Sequence, residues 1–281
     1  MSRPGNLYTL QANKGWMLVS IVLKVRNEED NISDALDSLV VQEAPVEIII
    51  VDGFSTDRTQ EIVKEYAARY PFVHLYSAGG TRGDSLNFGL QQAKADIIAL
   101  TDGDCIANPN WIKEIRRCIV EMGVDMVAGR SINIGLNAWE KLDRVELYNK
   151  GFDCTWPGCN LAFRRKVFET VGGVDPWFVT AEDIDFNLRA TDAGYNLVHN
   201  PRAIVYNRTR GTFYGFCHQA FWNGAGRKQL TMKHGVLWER YDPLRMFRQR
   251  MTFWAMVRLG FAWLGYFGYK FFGERPASQA P

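Results

Sequence analysis

Short, almost entirely apolar segments recur through the first hundred residues and restrict the folds open to this chain. Val19–Val25, Val46–Asp52 and Asp96–Thr101 carry apolar residues at nearly every position rather than at alternate ones. Such segments are typical of strands buried on both faces of a sheet. The segments between them carry apolar residues at helical spacing. This alternation predicts an α/β fold in which helices cover both faces of a mostly parallel sheet.

Acidic residues follow the predicted strands. Glu28 and Asp52 lie at the ends of the first two, and Thr101-Asp102-Gly103-Asp104 ends the third apolar segment. In an open α/β sheet, ligands bind at the carboxyl ends of the strands, and carboxylates one residue apart suit a hard divalent cation. We therefore predict a nucleotide site at this rim, with Asp102 and Asp104 as metal ligands. The alternative is a solvated Asp-Gly turn.

Local patterns predict several further elements. Asn31 and Asp34 have the spacing of a reciprocal helix cap. Helices are expected near Ser85–Ala93, around Ala138–Tyr148 and over Ala181–Ala193.

The composition is that of a globular protein, but the charge is uneven. Of 281 residues, 47% are hydrophobic and 23% charged, which excludes a disordered chain. Residues 208–281 carry 12 Lys or Arg against three Asp or Glu, whereas residues 1–207 carry 21 against 28. A basic, aromatic end favours an anionic membrane surface or phosphate groups as partner, and we expect no nucleic acid.

Five scattered cysteines indicate a reducing compartment. None forms a Cys-x-x-Cys pair, and the odd number is untypical of a disulfide framework. Residues 1–16 lack the continuous apolar stretch of a signal peptide. We therefore expect a cytoplasmic protein.

The C-terminal segment combines aromatic residues with arginines. Met251–Phe272 is nearly as long as a membrane span, but Arg258 and glycines interrupt it, and further arginines precede it. This pattern favours a helix lying in the headgroup region, peripheral on the cytoplasmic face of the membrane. The alternative is a helix packed on the catalytic domain or on a partner chain, and the aromatic tail also allows self-association into an oligomer.

Six motifs occur in a fixed order along the chain. They are Ser20–Glu29, Val51–Asp57, Thr101–Asp104, Gly158–Arg165, Gly172–Asp175 and Ala181–Asp183, the last followed by Ala193-Gly-Tyr195. Together they resemble family 2 glycosyltransferases of the GT-A fold, which transfer a sugar from a nucleotide-diphosphate sugar with inversion at the anomeric carbon. The resemblance spans about residues 17–230 and implies a Rossmann-like, mostly parallel central sheet with a C-terminal helical extension.

The resemblance implies a role for each matching position. Asp183 would be the general base for the acceptor, and Asp104, with Asp102, would hold Mn²⁺ or Mg²⁺ on the donor diphosphate. The residues expected at the donor are Lys24, Arg26, Glu28, Asp52, Arg82, Asp102 and Arg227. The residues expected at the acceptor are Trp156, Gly158, Asn160 and Glu182. Lys24 and Arg26 replace a proline and a tyrosine common in the family, and Gly53 replaces a second aspartate, so the nucleotide stays open.

Four of these positions also have plainer interpretations. Thr180-Ala-Glu-Asp183 has the spacing of a capping box, so Asp183 would then satisfy a helix N-terminus. Trp156 lies either in a wall of the acceptor site or in a tight loop. Arg82 lies near the phosphates or is solvated. Arg227 belongs either to a segment that closes over the site or to a surface helix.

We therefore expect a metal-dependent inverting glycosyltransferase that moves a sugar from a UDP- or GDP-sugar to a hydroxyl or phosphate of a lipid-linked or glycan acceptor. The predicted divisions are an extension (1–16), a catalytic domain (17–208), a helical segment closing the site (209–250) and an interfacial tail (251–281). One alternative is a membrane-associated scaffold that binds sugar nucleotides without turnover. Another is a sugar-phosphate nucleotidylyltransferase, although Lys24–Asp30 lacks the glycine-rich signature of that class.

Overall fold

A computed structural model describes residues 17–135, 137, 139, 142, 144–208, 211–235, 237–240 and 252–272. The strands are β1 Val19–Val25, β2 Val46–Asp52, β3 Val73–Ser77, β4 Ile97–Asp102, β5 Cys105–Ala107, β6 Met126–Ile134, β7 Tyr148–Asn149, β8 Phe152–Asp153, β9 Leu161–Arg164 and β10 Leu197–Arg208. The helices are α1 Ile32–Val40, α2 Thr59–Arg69, α3 Arg82–Gln92, α4 Trp111–Arg116, α5 Arg165–Val171, α6 Glu182–Asp192, α7 Phe213–His234 and α8 Phe253–Phe272. A π-helical turn, Arg117–Glu121, continues α4, and 3₁₀ turns occupy Gly158–Asn160 and Trp238–Arg240.

Eight strands form one mixed sheet in the order β3-β2-β1-β4-β9-β6-β10-β5. Strands β1 to β4 pair in parallel, and β2 is buried at every position. Apolar clusters lie on both faces of the sheet, one around Leu36 and Trp111 and the other around Leu90 and Phe186. The predicted α/β fold with a mostly parallel, doubly covered sheet is therefore confirmed.

Strand β9 carries the predicted acceptor motif to the acidic end of β4. It runs antiparallel to both β4 and β6, and Leu100 pairs with Leu161. Because the two strands run in opposite directions, the residues after Leu100 and those before Leu161 lie at the same edge of the sheet. Asp102 and Gly158 therefore lie at the same edge, although 55 residues separate them in the chain.

Two local predictions were wrong. Asp34 forms no reciprocal cap with Asn31, because the side chain of Arg208 from β10 binds both residues. A helix was expected at Ala138–Tyr148. Residues 144–147 instead have no regular structure, and Tyr148 begins β7. Residues 138, 140, 141 and 143 lie outside the described part of the chain. The helix expected near Ser85–Ala93 is present as α3, and it begins earlier, at Arg82, because Thr81 and Asp84 form a reciprocal cap.

The C-terminal helices α7 and α8 cross in direct backbone contact. A Cβ atom on Gly224 would lie 1.8 Å from the carbonyl oxygen of Ala262, and one on Gly265 would lie 1.8 Å from that of Phe221. Only glycine fits at these two positions, so the sequence itself fixes the crossing. Within the described residues, no helix is both long and apolar enough to span a bilayer.

Candidate active site

A lysine and an aspartate on neighbouring strands form the polar floor of the site. Lys24 of β1 and Asp102 of β4 are paired in register, and Lys24 Nζ donates to Asp102 Oδ1 at 3.1 Å. Burial opposes the charge on Asp102, but Lys24 and Arg82 outweigh it and hold the pKa of that carboxyl below its ordinary value. Asp102 is therefore a carboxylate at neutral pH.

Asp104 lies just beyond Asp102 and has the opposite shift. Burial and the charge of Asp102 both raise the pKa of Asp104, and Cys105 Sγ donates to its Oδ1 at 3.5 Å. Its carbonyl oxygen accepts from the backbone N–H of Arg208 at 3.1 Å, which fixes the turn. Two neighbouring carboxylates that repel one another fit a divalent cation, which would relieve the repulsion.

The carboxylate oxygens of Asp102 and Asp104 suit Mg²⁺ or Mn²⁺, since both ions prefer oxygen ligands of this kind. Among the described residues, no group of three or more His, Cys, Asp or Glu side chains is arranged to hold a metal ion. Asp102 and Asp104 would therefore supply only part of a coordination shell. Oxygens of the donor diphosphate and water would supply the rest.

Arg82 faces several carboxylates at once from the first turn of α3. Desolvation lowers its pKa, but Asp102, Glu182, Asp183 and Asp104 raise it by a larger amount. The two predicted acidic groups, one after β4 and one on α6, therefore act on the same guanidinium. Arg82 is exposed, and it lines the same cavity as Asp102 and Asp183.

Asp183 lies in the first turn of α6. Its Oδ2 accepts from the backbone N–H of Gly158 at 2.9 Å, and its Oδ1 accepts from that of Ile184 at 2.8 Å. Burial, and then the charge of Glu182, raise its pKa to about 6, against the effect of the Gly158 hydrogen bond. Asp183 is thus mostly ionised at neutral pH, yet able to accept a proton.

The predicted capping box before Asp183 does not form. In the part of the chain that the structure describes, no side chain caps α6, and Thr180 Oγ1 instead donates to the carbonyl oxygen of Trp222 at 2.9 Å. The N-cap residue, Ala181, has a left-handed backbone with φ of 68°. Such a conformation is unfavourable for alanine by about 1 kcal/mol or more and is frequent at functional sites.

The predicted acceptor residues divide into two groups. Glu182 and Gly158 line the cavity. Asn160 is buried in the core, where its Oδ1 accepts from Trp111 Nε1 at 2.8 Å and its Nδ2 donates to the Ala203 carbonyl at 3.0 Å. With both groups engaged in the core, Asn160 supports the turn that carries Gly158.

The indole of Trp156 is covered by two polar side chains. It stacks on His199 with ring centroids 4.1 Å apart, and the guanidinium of Arg144 lies 3.4 Å from its centroid. Arg144 also binds Asp153 at 2.7 Å and Thr155 at 2.6 Å. Trp156 therefore packs beside the cavity, which the following residues Pro157 and Gly158 line.

The remaining predicted donor residues lie around the ends of β1 and β2. Asp52 is fully buried, and its Oδ2 accepts from Gln60 Nε2 at 2.6 Å and from the Ser55 N–H at 3.0 Å. Its Oδ1 has no hydrogen-bond partner among the described residues, as expected of an atom that awaits a ligand N–H. Arg26 is exposed, whereas Glu28 is half-buried, and burial raises the pKa of Glu28.

Seven of the predicted residues line one cavity of about 1650 Å³, namely Lys24, Arg82, Asp102, Gly158, Glu182, Asp183 and Arg227. The other predicted residues, Arg26, Glu28, Asp52, Asp104, Trp156 and Asn160, are not among those that line this cavity. Its polar end contains Lys24, Arg82, Asp102, Glu182 and Asp183. Arg227 of α7 lines the cavity as well and donates to the Val145 carbonyl at 3.0 Å. The other walls include aromatic residues of both C-terminal helices, among them Trp222, Trp254, Trp263 and Phe267.

Sequence reasoning missed two components of this site. Arg144 lines the cavity and braces Trp156, but it lies in a stretch predicted as a helix and no local pattern marks it. The sequence favours a membrane surface for the aromatic residues of α8 over packing on the catalytic domain, whereas several of them line the cavity. Their helical spacing was visible in the sequence, but which face would turn inward was not.

A strand-end carboxylate, two facing cations and the two carboxylates that begin α6, in one cavity on a mixed sheet, define a glycosyltransferase of the GT-A class. The chain belongs to glycosyl transferase family 2, whose model matches residues 20–172, more than half of the chain. A second model, glycosyl transferase family group 2, matches residues 97–272. The predicted family, fold and enzyme class are therefore confirmed.

Two curated relatives cover most of the chain. The chain is 29% identical to Glycosyltransferase AglE of Haloferax volcanii, over 81% of this chain and 79% of the relative. It is 24% identical to a dolichyl N-acetyl-alpha-D-glucosaminyl phosphate 3-beta-D-2,3-diacetamido-2,3-dideoxy-beta-D-glucuronosyltransferase of Methanococcus voltae, over 78% of this chain and 76% of the relative.

Two solved structures share the fold. One is the mannosyltransferase PcManGT of Pyrobaculum calidifontis in complex with GDP-Man and Mn²⁺, with a TM-score of 0.63 and 18% identity over 92% of this chain and 77% of that one. The other is S. aureus TarS in complex with UDP-GlcNAc, with a TM-score of 0.60 and 17% identity over 88% of this chain and 79% of that one. At these identities the likeness shows the fold.

Proposed function

We propose that this chain is an inverting glycosyltransferase that uses a GDP- or UDP-sugar and Asp183 as general base. The observation that carries the proposal is the shared cavity, in which Asp183 faces the pair Lys24–Asp102 and the guanidinium of Arg82. The complexes of PcManGT with GDP-Man and of TarS with UDP-GlcNAc support the donor class.

The cavity supplies a base for a single displacement. An acceptor oxygen gives its proton to the carboxylate of Asp183 and attacks the anomeric carbon, while the bond from that carbon to the diphosphate oxygen breaks. The nucleoside diphosphate leaves with the bonding electron pair. A base with a pKa of about 6 suits this step, because it is ionised at neutral pH and still basic enough to take up the proton.

Positive charge beside Asp183, at the same polar end of the cavity, suits the leaving group. Lys24 and Arg82 both keep raised pKa values beside the carboxylates, although burial opposes their charge. They would neutralise part of the diphosphate. Asp102 and Asp104 would hold Mn²⁺ or Mg²⁺, which supplies Lewis-acid stabilisation of the departing phosphate when bound.

An apolar cavity mouth supports a lipid-linked acceptor. Leu259, Trp263 and Phe267 of α8 line the cavity and are also exposed at the surface, by 40%, 60% and 53% respectively. An acceptor with an apolar tail could leave the cavity over these side chains while its reacting oxygen stays at Asp183. The dolichyl phosphate in the name of the Methanococcus voltae relative is consistent with this class.

The outer face of α8 supports docking on an anionic membrane from the cytoplasmic side. Phe253, Met256, Leu264 and Phe271 are exposed on it, and residues 208–281 carry the excess of basic residues. Exposed aromatic residues beside positive charge suit the interfacial region of a bilayer. The tail would then have two roles, as a cavity wall and as an anchor.

The test is nucleotide release from a panel of sugar nucleotides that includes GDP-mannose and UDP-N-acetylglucosamine, with Mn²⁺ and with EDTA. Asp183→Asn should reduce release by about a hundredfold or more. The matched control is Asp192→Asn, at the exposed end of the same helix, which should leave release unchanged. Equal rates for wild type and Asp183→Asn would reject Asp183 as the base, and calorimetric nucleotide binding without turnover would favour the scaffold.

A further inference from the structure

One face of α7 is bonded along its length to the segment that leads into the candidate base. Trp222, Gly226, Gln229 and Lys233 recur at intervals of four, three and four residues, so they share one side of the helix. The partners of this side lie between Asp175 and Asp185, on both sides of Asp183. Helix α7 is therefore a template for this segment as well as a wall of the cavity.

The contacts follow the segment in order. Lys233 Nζ donates to Asp175 Oδ2 at 2.7 Å, and Gln229 Nε2 donates to the carbonyl of Trp177 at 2.6 Å. The N–H of Val179 donates to Gln229 Oε1 at 3.0 Å. Next, Thr180 Oγ1 donates to the carbonyl of Trp222 at 2.9 Å.

The approach of the two backbones is close at Gly226. A Cβ atom there would lie 2.3 Å from Thr180 Oγ1 and 2.5 Å from its carbonyl oxygen. Ala181, which follows immediately, holds the left-handed conformation that begins α6. An unfavourable backbone of this kind persists only where its neighbours hold it in place, and here the neighbours on its N-terminal side are held by α7.

Gln229 is the centre of the template. Its side chain is fully buried, and both ends are engaged by backbone groups of the segment. Its Nε2 also donates to Tyr269 Oη of α8 at 3.0 Å. A buried amide with a complete set of partners fixes geometry strongly, because any displaced arrangement leaves polar groups without partners.

We propose that Gln229 is a positioning residue for the candidate base, because it fixes the Trp177–Ala181 segment that places the Asp183 carboxylate against the N–H of Gly158. The inference rests on the proposed function for the role of Asp183, but the geometry that it explains does not depend on turnover. It makes the C-terminal helices part of the catalytic architecture. Substitutions in α7 would then alter the position of the Asp183 carboxylate without contacting it.

The test replaces Gln229 by methionine, which keeps the length of the side chain and removes its hydrogen bonds. The chain offers a closely matched control in Gln42→Met. Gln42 is also buried, donates to the carbonyls of Ser38 and Asn108 and accepts the N–H of Ile112. Thermal unfolding of both variants measures the general cost of losing such an amide.

The decisive readout is the titration of Asp183, followed by ¹³C NMR of labelled aspartate carboxyls and assigned by difference with Asp183→Asn. The charged groups that face Asp183 are Glu182, Lys24 and Arg82, and neither variant changes them. Release of the segment should reduce the burial that raises the pKa of Asp183 and weaken the Gly158 hydrogen bond that lowers it. Because burial is the larger of the two effects, the pKa should fall by about half a unit or more in Gln229→Met. Gln42→Met should titrate as the wild type does.

Nucleotide release from GDP-mannose or UDP-N-acetylglucosamine gives the second readout. For folded protein, Gln229→Met should lower kcat at least about tenfold while KM for the donor changes less than about twofold, since the donor end of the cavity is intact. An unaltered Asp183 titration in Gln229→Met would overturn the inference. Equal release by wild type and Asp183→Asn would instead reject the proposed function and leave the titration result standing.

A second pair of variants covers the case in which Gln229→Met does not fold. Thr180→Val removes the hydrogen bond to Trp222, and Thr170→Val removes the comparable bond from Thr170 Oγ1 to the Lys166 carbonyl in α5. We expect a lowered pKa of Asp183 in Thr180→Val and an unchanged pKa in Thr170→Val. Identical titrations in these two variants would count against α7 as the template.

Discussion

Removal of the Asp185 carboxylate should destabilise the fold. Asp185 is fully buried on α6, and its oxygens contact Arg189 Nε at 2.8 Å, Lys233 Nζ at 2.9 Å and His234 Nε2 at 2.8 Å. Burial opposes its ionisation, but the hydrogen bond from His234 and the charges of Arg189 and Lys233 outweigh burial and lower its pKa to about 2. Asp185→Asn removes the charge and nearly preserves the shape.

The magnitude follows from the difference between the folded and unfolded pKa values. An ordinary aspartate titrates near 3.9, so a folded value of about 2 corresponds to ~2.5 kcal/mol of stability at pH 7. Because the folded pKa is lowered, this contribution is complete above the unfolded value and disappears as the pH falls through about 2. At pH 3 it should have decreased to about half.

Urea unfolding followed by circular dichroism at pH 7 and pH 3 measures this directly. Asp185→Asn should lower the free energy of unfolding by ~2 kcal/mol at pH 7 and by about half as much at pH 3. Asp192→Asn, at the exposed end of the same helix, is the matched control and should change it by less than about 0.5 kcal/mol. A loss for Asp185→Asn that is equal at both pH values would refute the electrostatic reasoning.

Three further predictions concern the site, the helix crossing and the membrane face. Nucleotide release should rise about tenfold per pH unit below pH 6 and level off above it, because the proposed base, Asp183, would act only as the carboxylate; a pH-independent rate would contradict this. Gly265→Ala, whose Cβ would meet a carbonyl of α7, should lower stability by about 2 kcal/mol or more in urea unfolding, whereas Gly260→Ala, in open space, should not. Phe271→Ser should weaken binding to phosphatidylglycerol vesicles about tenfold in a sedimentation assay, while Met122→Ser, at another exposed apolar residue, should not.

The elements that the sequence predicts well are those whose signal is local. Val46–Asp52 has no polar residue to face water except Glu47 and its terminal Asp52, and Glu47 is itself buried and bonded to Ser20 at 2.5 Å. Such a segment can only be a strand covered on both sides. Parallel strands end at the same edge of a sheet. Asp52 at the end of β2 and the acidic residues at the end of β4 are therefore expected at the same edge.

The capping predictions failed because distant partners offered better contacts. Thr180 has the spacing to cap α6, but it bonds to Trp222, 42 residues away. Asn31 and Asp34 have the spacing of a cap, but Arg208 reaches both of them from the last strand. Short-range spacing shows which hydrogen bonds a helix end can form, and tertiary contacts decide which of them it does form.

The same limit applies to α8, where it has a consequence for the acceptor. An aromatic run shows that a helix is apolar, but only its contact with α7 through Gly224 and Gly265 decides which side turns inward. With that crossing, Trp263 borders the cavity and the surface together. The charged end around Asp183 and the apolar mouth then allow only one orientation of an amphiphilic acceptor, with its oxygen inward and its tail toward α8. A soluble glycan acceptor would gain nothing from this mouth, so we expect the chain to prefer a lipid-linked acceptor. This preference should disappear in Trp263→Ser and persist in Met122→Ser.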